Sequence, residues 1–180
     1  MSLTRVTALD GDTILPLADA KAHLRVRHAD EDDLIASLRD AAILHVERVS
    51  GVPLEPTEFM WRMRCFRARI DLPRGPVTEL GDVSYYDSEG EVQTYADARL
   101  IDGAVYPAAS GSWPHAYGYA AVEFTAGLTE PSEGPDLLAA IKLLTTHFYE
   151  NRSAVNVGNI TSELPLAVHS LIGAHVAVLA

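Results

Sequence analysis

Two helical stripes set far apart in the chain constrain its fold most. In DDLIASLRDAAILHVERVSG, Ile35, Leu38, Ala42, Val46 and Val49 recur at helical spacing. In GPDLLAAIKLLTTHFYENR, Leu137, Ile141, Leu144 and Phe148 stand at i, i+4, i+7 and i+11. Between them the apolar residues alternate as they do in strands. Such a chain is neither a plain helix bundle nor a plain sandwich. It predicts an α+β fold: a mainly helical core with a small antiparallel β unit inserted at about residues 56–127. One domain is expected over 1–180, with helices at 15–55 and 135–180.

The helix ends carry their own signals. Asp30 is the expected N-cap of the first stripe, with Asp33 in the capping-box position. Gly51 and Pro53 supply its stop. Pro135 and Asp136 favour the start of the second stripe. A shorter helix is predicted in LPLADAKAHLRV, with Pro16 in its first turn and Leu17, Ala20 and Leu24 on one side. SAVNVGNITSE reads as a loop. LPLAVHSLIGAHVAVLA reads as a last, very apolar helix with Pro165 in its first turn.

In EFMWRMRCFRARIDL the apolar parity flips between Cys65 and Phe66. A strand cannot change its buried face without a bulge or a break, so one is expected there. VSYYDSEGEVQTY reads as two strands around Asp87-Ser88-Glu89-Gly90, and RLIDGAVYP as a hairpin turning at Asp102-Gly103. In YAAVEFTAGL, Val122 and Phe124 share one face, and Glu123 and Thr125 the other.

Charge narrows the function. The chain carries 25 acidic against 14 basic residues, a formal net charge of −11. Such a surface repels nucleic acid at long range, although it also suits the wall of a passage through which DNA slides. Cys65 is the single cysteine, which excludes an intrachain disulfide and a thiolate metal cluster. With no signal-peptide pattern at Met1, the chain is expected to be cytoplasmic or part of an assembly built there.

Candidate chemistry is thin. His147 and Glu150 share a helix face, but no second copy of the pair exists to complete a di-metal site. The plainer reading is that Glu150, Asn151 and Arg152 end the helix in polar contacts and hold the next loop or a neighbouring subunit. Asp30, Glu31, Asp32 and Asp33 lack the glycine and the distal glutamate of a calcium loop. No nucleophile elbow, phosphate-binding loop or dinucleotide fingerprint is present. The main basic concentration is Arg62, Arg64, Arg67, Arg69 and Arg74. Interleaved with aromatics, it could meet phosphate backbone. The favoured reading is a solvated or partner-facing surface that pairs with a neighbour's carboxylates. A DNA-binding module using these arginines, and a metal-dependent enzyme using His147, Glu150 and the acidic turn at Asp30–Asp33, are the alternatives.

The C-terminal segment from Ser153 to Ala180 contains no Lys or Arg. Pro165, His169, Ser170, Gly173 and His175 interrupt it too often for a membrane span. Leu164, Val168 and Leu171 are expected to pack inward. The stretch after Gly173, with Val176, Val178 and Leu179, is expected to be loose in the free subunit and to dock on a partner.

Taken in order, AKAHLRV, LIASLRDAAILHVERVSG, VEFTAGL, LLAAIKLLTTHFYENRSAV and ELPLAVHSLI resemble the head–tail connector (adaptor) family of long-tailed bacteriophages and gene transfer agents. The resemblance spans about residues 15–173, and FTAG, HFYENR and ELPL are its most specific parts. It implies a structural subunit without catalytic residues, cofactor or metal. It implies a ring, expected to be twelvefold, in the particle neck, assembled in the bacterial cytoplasm. The implied partners are the portal protein, a neck or tail stopper protein and further copies of itself, with non-specific passage of DNA and no membrane. Members of the family often end in a short, more polar tail, whereas this chain continues as GAHVAVLA.

Overall fold

The two stripes become α3 and α4, the longest helices among the described residues, which are 1–109, 111–151 and 166–176 of a computed structural model. In chain order the elements are β1 (Ser2–Arg5), α1 (Gly11–Ile14), α2 (Leu17–Leu24), α3 (Asp32–Ser50), β2 (Thr57–Met63), β3 (Ile70–Asp71) and β4 (Val77–Tyr86). Then come β5 (Val92–Thr94), β6 (Arg99–Ile101), β7 (Ala104–Tyr106), β8 (Ala120–Ala126), α4 (Pro135–Glu150) and α5 (Leu166–Val176). The α+β class read from the sequence is borne out. The chain forms two units. Met1–Ala8 and Pro56–Leu128 make a β unit, and Leu9–Glu55 with Thr129–Ala180 make a helical unit.

In the helical unit, α3, α4 and α5 pack against one another. Their apolar faces supply Ile35, Ala42, Ile43 and Val46, then Leu137, Ala140, Ile141 and Leu144, then Val168 and Ile172, all buried. The buried face of α3 is rotated from the expected stripe. Val49 is 37% exposed, Leu38 and Phe148 are half-buried, and Ile43 and Glu47 face inward. Residues 35, 39, 42, 43, 46 and 47 follow the helix repeat more closely than a run ending at Val49. Glu31, not Asp30, occupies the N-cap, without a side-chain cap, while Asp32 pairs with Lys21. Gly51, at φ 77°, closes the helix by donating its N–H to the Glu47 carbonyl. Pro16 precedes α2 as its N-cap rather than entering the first turn.

Two charged residues of α3 are buried and satisfied. Glu47 accepts the Leu54 N–H at 2.9 Å. Arg39 donates to the Leu15 carbonyl at 3.1 Å and to Asp40 at 2.9 Å, and pairs with Asp12. Arg39 thereby clamps α1, which the sequence reading did not foresee. The clamp leaves no room beside Gly11, where a Cβ would lie 1.9 Å from Asp40 Oδ1.

In α5, Val168 packs inward as expected. Its inner companion is Ile172, one turn on, and Leu171 is only half-buried. The expected loosening after Gly173 is not seen as far as Val176. The helix continues, and His175 Nε2 stands 2.6 Å from Asp136 Oδ2 on α4. Arg152, Leu164, Val178 and Leu179 lie outside the described residues, as does most of the ELPL motif.

The β unit holds an antiparallel sheet in the order β1-β2-β8-β4-β5 and a three-stranded antiparallel sheet in the order β3-β7-β6. Its core is Phe59, Met63, Val83, Val122 and Phe124, joined by Ile70 and Val105 of the smaller sheet. Phe59 and Phe124 stack at 5.6 Å. The parity flip proves to be a break: β2 ends at Met63, β3 begins at Ile70, and residues 64–69 connect them. Both hairpin turns form where predicted. Asp102 (φ 50°) and Gly103 (φ 74°) give the paired left-handed residues that a two-residue hairpin requires. Asp87 Oδ1 accepts the Glu89 and Glu91 N–H groups and so fixes the longer turn.

Candidate functional site

The arginines that stood out in the sequence collect on the β unit. Arg62 lies on the exposed side of β2, with its Nε 3.0 Å from Met60 Sδ. Arg64, Arg67 and Arg69 sit on the connector 64–69, all exposed. Arg69 pairs with Asp71 at 2.6 Å, and Arg74 donates to the Pro73 carbonyl. The connector is pinned by one side chain. Phe66 stacks on Trp113 at 4.6 Å and meets Tyr85 edge-on at 5.9 Å. Trp113 in turn lies 5.1 Å from Tyr95. An aromatic anchor therefore holds the connector that exposes Arg64, Arg67 and Arg69 to water. Cys65 is exposed among them.

A second group was not read from the sequence. The pleat of β2, β8 and β4 puts Glu58, Met60 and Arg62, then Glu123 and Thr125, then Glu79, on the side opposite Phe59 and Phe124. Glu58 and Glu79 flank Thr125 from either side, and Glu123 is two residues along. Gly81 follows, and a Cβ there would come 3.1 Å from Glu123 Cβ. The result is a depression of about 260 Å³ with Glu58, Glu79 and Glu123 in its wall and Met60 among its lining. The three acids are 58, 79 and 123 in the chain, so only the sheet register brings them together.

The other candidates belong to the helical unit. At the end of α4, the Asn151 side chain donates to the His147 carbonyl at 2.8 Å and stands 3.3 Å from His147 Nδ1. His147 packs near Phe148, with ring centroids 6.2 Å apart. Tyr149 donates to Glu31, while Glu150 is exposed. These contacts are those of a helix terminus. Val176 closes α5. At the α4–α5 contact, burial pushes the Asp136 carboxyl up, but the His175 hydrogen bond, the Leu137 N–H and the His175 charge outweigh it. Asp136 is held below the usual carboxylate value. Burial, helped by the charges of Arg48 and His169, pushes the His45 imidazole down. Neither group adjoins a nucleophile or a cluster of ligating side chains, and among the described residues no group of three or more His, Cys, Asp or Glu converges as a metal site would. No helix among them is long and apolar enough to cross a membrane.

No protein-family model matches the chain, and no curated protein matches it. Solved structures do. A chain in the neck of an empty gene transfer agent (GTA) particle, computed with C6 symmetry, is 28% identical with a TM-score of 0.79, over 97% of this chain and 95% of that one. The chain shares the fold of a protein from a gene-transfer-agent neck. A chain of the native GTA virion matches at 28% identity and TM-score 0.78, and one in the native neck, computed with C12 symmetry, at 26% and 0.77. Both cover 97% of this chain and 94% of the other. The resemblance to head–tail connectors, first seen in FTAG, HFYENR and ELPL, is thus borne out by the neck-protein fold.

Proposed function

We propose that this chain is a structural subunit of the neck of a virion or gene-transfer particle. In this reading its copies form a ring that joins the portal protein to a stopper or tail component, with DNA passing through the centre. The observation that carries it is the two-way match in fold and sequence, over nearly the full length of both chains, to a protein of a GTA neck. The C12 symmetry applied to the native neck supports a ring of twelve. The polar groups of the helical unit support a structural role rather than catalysis, because they bind to helix ends and to one another. A net charge of −11 suits a passage that must not hold phosphate. The exposed arginines and the α5 end are the surfaces offered to protein partners.

The test is deletion of the gene in a producing strain, with particles imaged by cryo-electron microscopy. DNA-filled heads should accumulate without tails, and density for the chain should be missing between portal and tail. Tails attached normally in its absence would sink the reading. A DNA-binding module is separated by salt titration. Binding that survives physiological salt and depends on Arg62, Arg64, Arg67 and Arg69 would favour that alternative.

A further inference from the structure

We propose that the open face of the β unit, at Glu58, Glu79 and Glu123, is the seat for the arginine connector of a second copy of this chain. The inference rests on the neck-ring reading and names the residues that would join one copy to the next. Three observations carry it.

First, the acidic patch lacks counter-ions, and in the connector only Arg69 has one, in Asp71. Among the described residues, no cation lies within ion-pair distance of Glu58, Glu79 or Glu123, and Arg64 and Arg67 have no anionic partner. Adjacent strands lie ~4.8 Å apart, so Glu58 and Glu79 stand roughly 10 Å from each other across β8. Like charges concentrated on one sheet face repel, and a cation from outside relieves them. Arg62 shares that face but leans on Met60 without an ion pair to the acids.

Second, the depression suits the shape of the ligand. Its volume of about 260 Å³ accommodates a long side chain. Met60 takes the apolar stem of an arginine, and the carboxylates take its planar head. Gly81 keeps the space beside Glu123 open, since a Cβ there would meet both the side chain and the backbone of Glu123.

Third, the basic and acidic patches are different parts of one unit. One is the connector beyond the end of β2, and the other is the middle of the sheet. A surface that binds a different surface on an identical copy makes a heterologous contact. Such contacts propagate head to tail and close as rings, as the symmetric necks of the similar proteins require. Phe66, locked against Trp113, presents the connector already ordered, so docking loses little freedom.

The experiment is charge exchange in a producing strain. The acid-face variant carries Glu58→Lys, Glu79→Lys and Glu123→Lys. The connector variant carries Arg64→Glu, Arg67→Glu and Arg69→Glu. Each should melt like the native protein, yet lower the yield of tail-bearing particles at least about tenfold. Combining all six substitutions in one chain should restore the yield, because the exchanged patches again complement each other. A loss that the combination fails to restore would assign the face to another protein and overturn the proposal. If the acid-face variant does not fold, Glu123→Cys in the otherwise native chain decides. Oxidation should join it to Cys65 of the neighbouring copy and give a ladder on a non-reducing gel, lost with Cys65→Ser; no ladder overturns the seat. A native chain found in particle necks but indifferent to both variants overturns the seat alone. A chain absent from necks overturns the neck reading with it.

Discussion

Arg39 and Arg67 are the same residue type in opposite circumstances. Arg39 is 5% exposed and spends its donors on Asp12, Asp40 and the Leu15 carbonyl. Arg67 stands in water on the β2–β3 connector without a partner among the described residues. The helical unit uses charge to hold itself together, and the β unit leaves charge on display. The difference teaches where to look for function. A satisfied buried ion reports on folding, whereas a rigidly presented, unsatisfied one reports on a partner.

The largest effect on stability should come from Arg39→Leu. It strands Asp40 and the Leu15 carbonyl, and should cost about 3 kcal/mol in denaturant unfolding. A loss no greater than that of a surface arginine would erase the comparison. Glu47→Ala leaves the Leu54 N–H without its acceptor and should cost about 2 kcal/mol by the same measurement.

The next effect depends on pH. The folded-state pKa of His45 lies below its ordinary 6.5, so the unfolded chain takes up that proton first. Stability contributed by neutral His45 is complete above pH 6.5 and falls as pH drops below it. The Asp136 carboxyl lies below its ordinary 3.8, so its contribution is complete above that value and is lost as pH falls through the lower folded-state pKa. Amide-exchange protection of α5 should therefore fall in two stages on acidification. His45→Gln should remove the upper stage and Asp136→Asn the lower; protection that stays flat from pH 7 to pH 3 would contradict both the cost of charging buried His45 and the hold of Asp136 on His175 of α5. The smallest effect on stability, within about 0.5 kcal/mol, is expected for Arg67→Ala. The contrast sharpens if that same variant has the greater effect on particle yield.

Much of this was legible in the sequence wherever a local rule decides. Asp102-Gly103 announces a turn because both residues must take left-handed backbone. The parity flip at Cys65-Phe66 announces a break because a pleated strand has only two faces. What stayed hidden depends on distant parts of the chain. Ser2–Arg5 lacks the alternation of a strong strand and becomes β1 only by pairing with β2. Nothing local marks Arg39 and Glu47 for burial, since charged residues are seldom buried unless paired, and their partners are set by the fold. Glu58, Glu79 and Glu123 share no local pattern at all. The arginines were found by composition, but the residues facing them could be found only through register.

The strand order carries a consequence for how the protein is made. β8 is the centre of its sheet and the last of its strands to leave the ribosome. Before it emerges, β1 can pair with β2, and β4 with β5, but the two ribbons have nothing between them. The first shows a bare edge through some sixty further residues after β2, and the second through about thirty after β5. The nascent chain is thus most prone to mispairing with its sisters before Ala126 appears, and a single late segment turns two sticky ribbons into one continuous sheet.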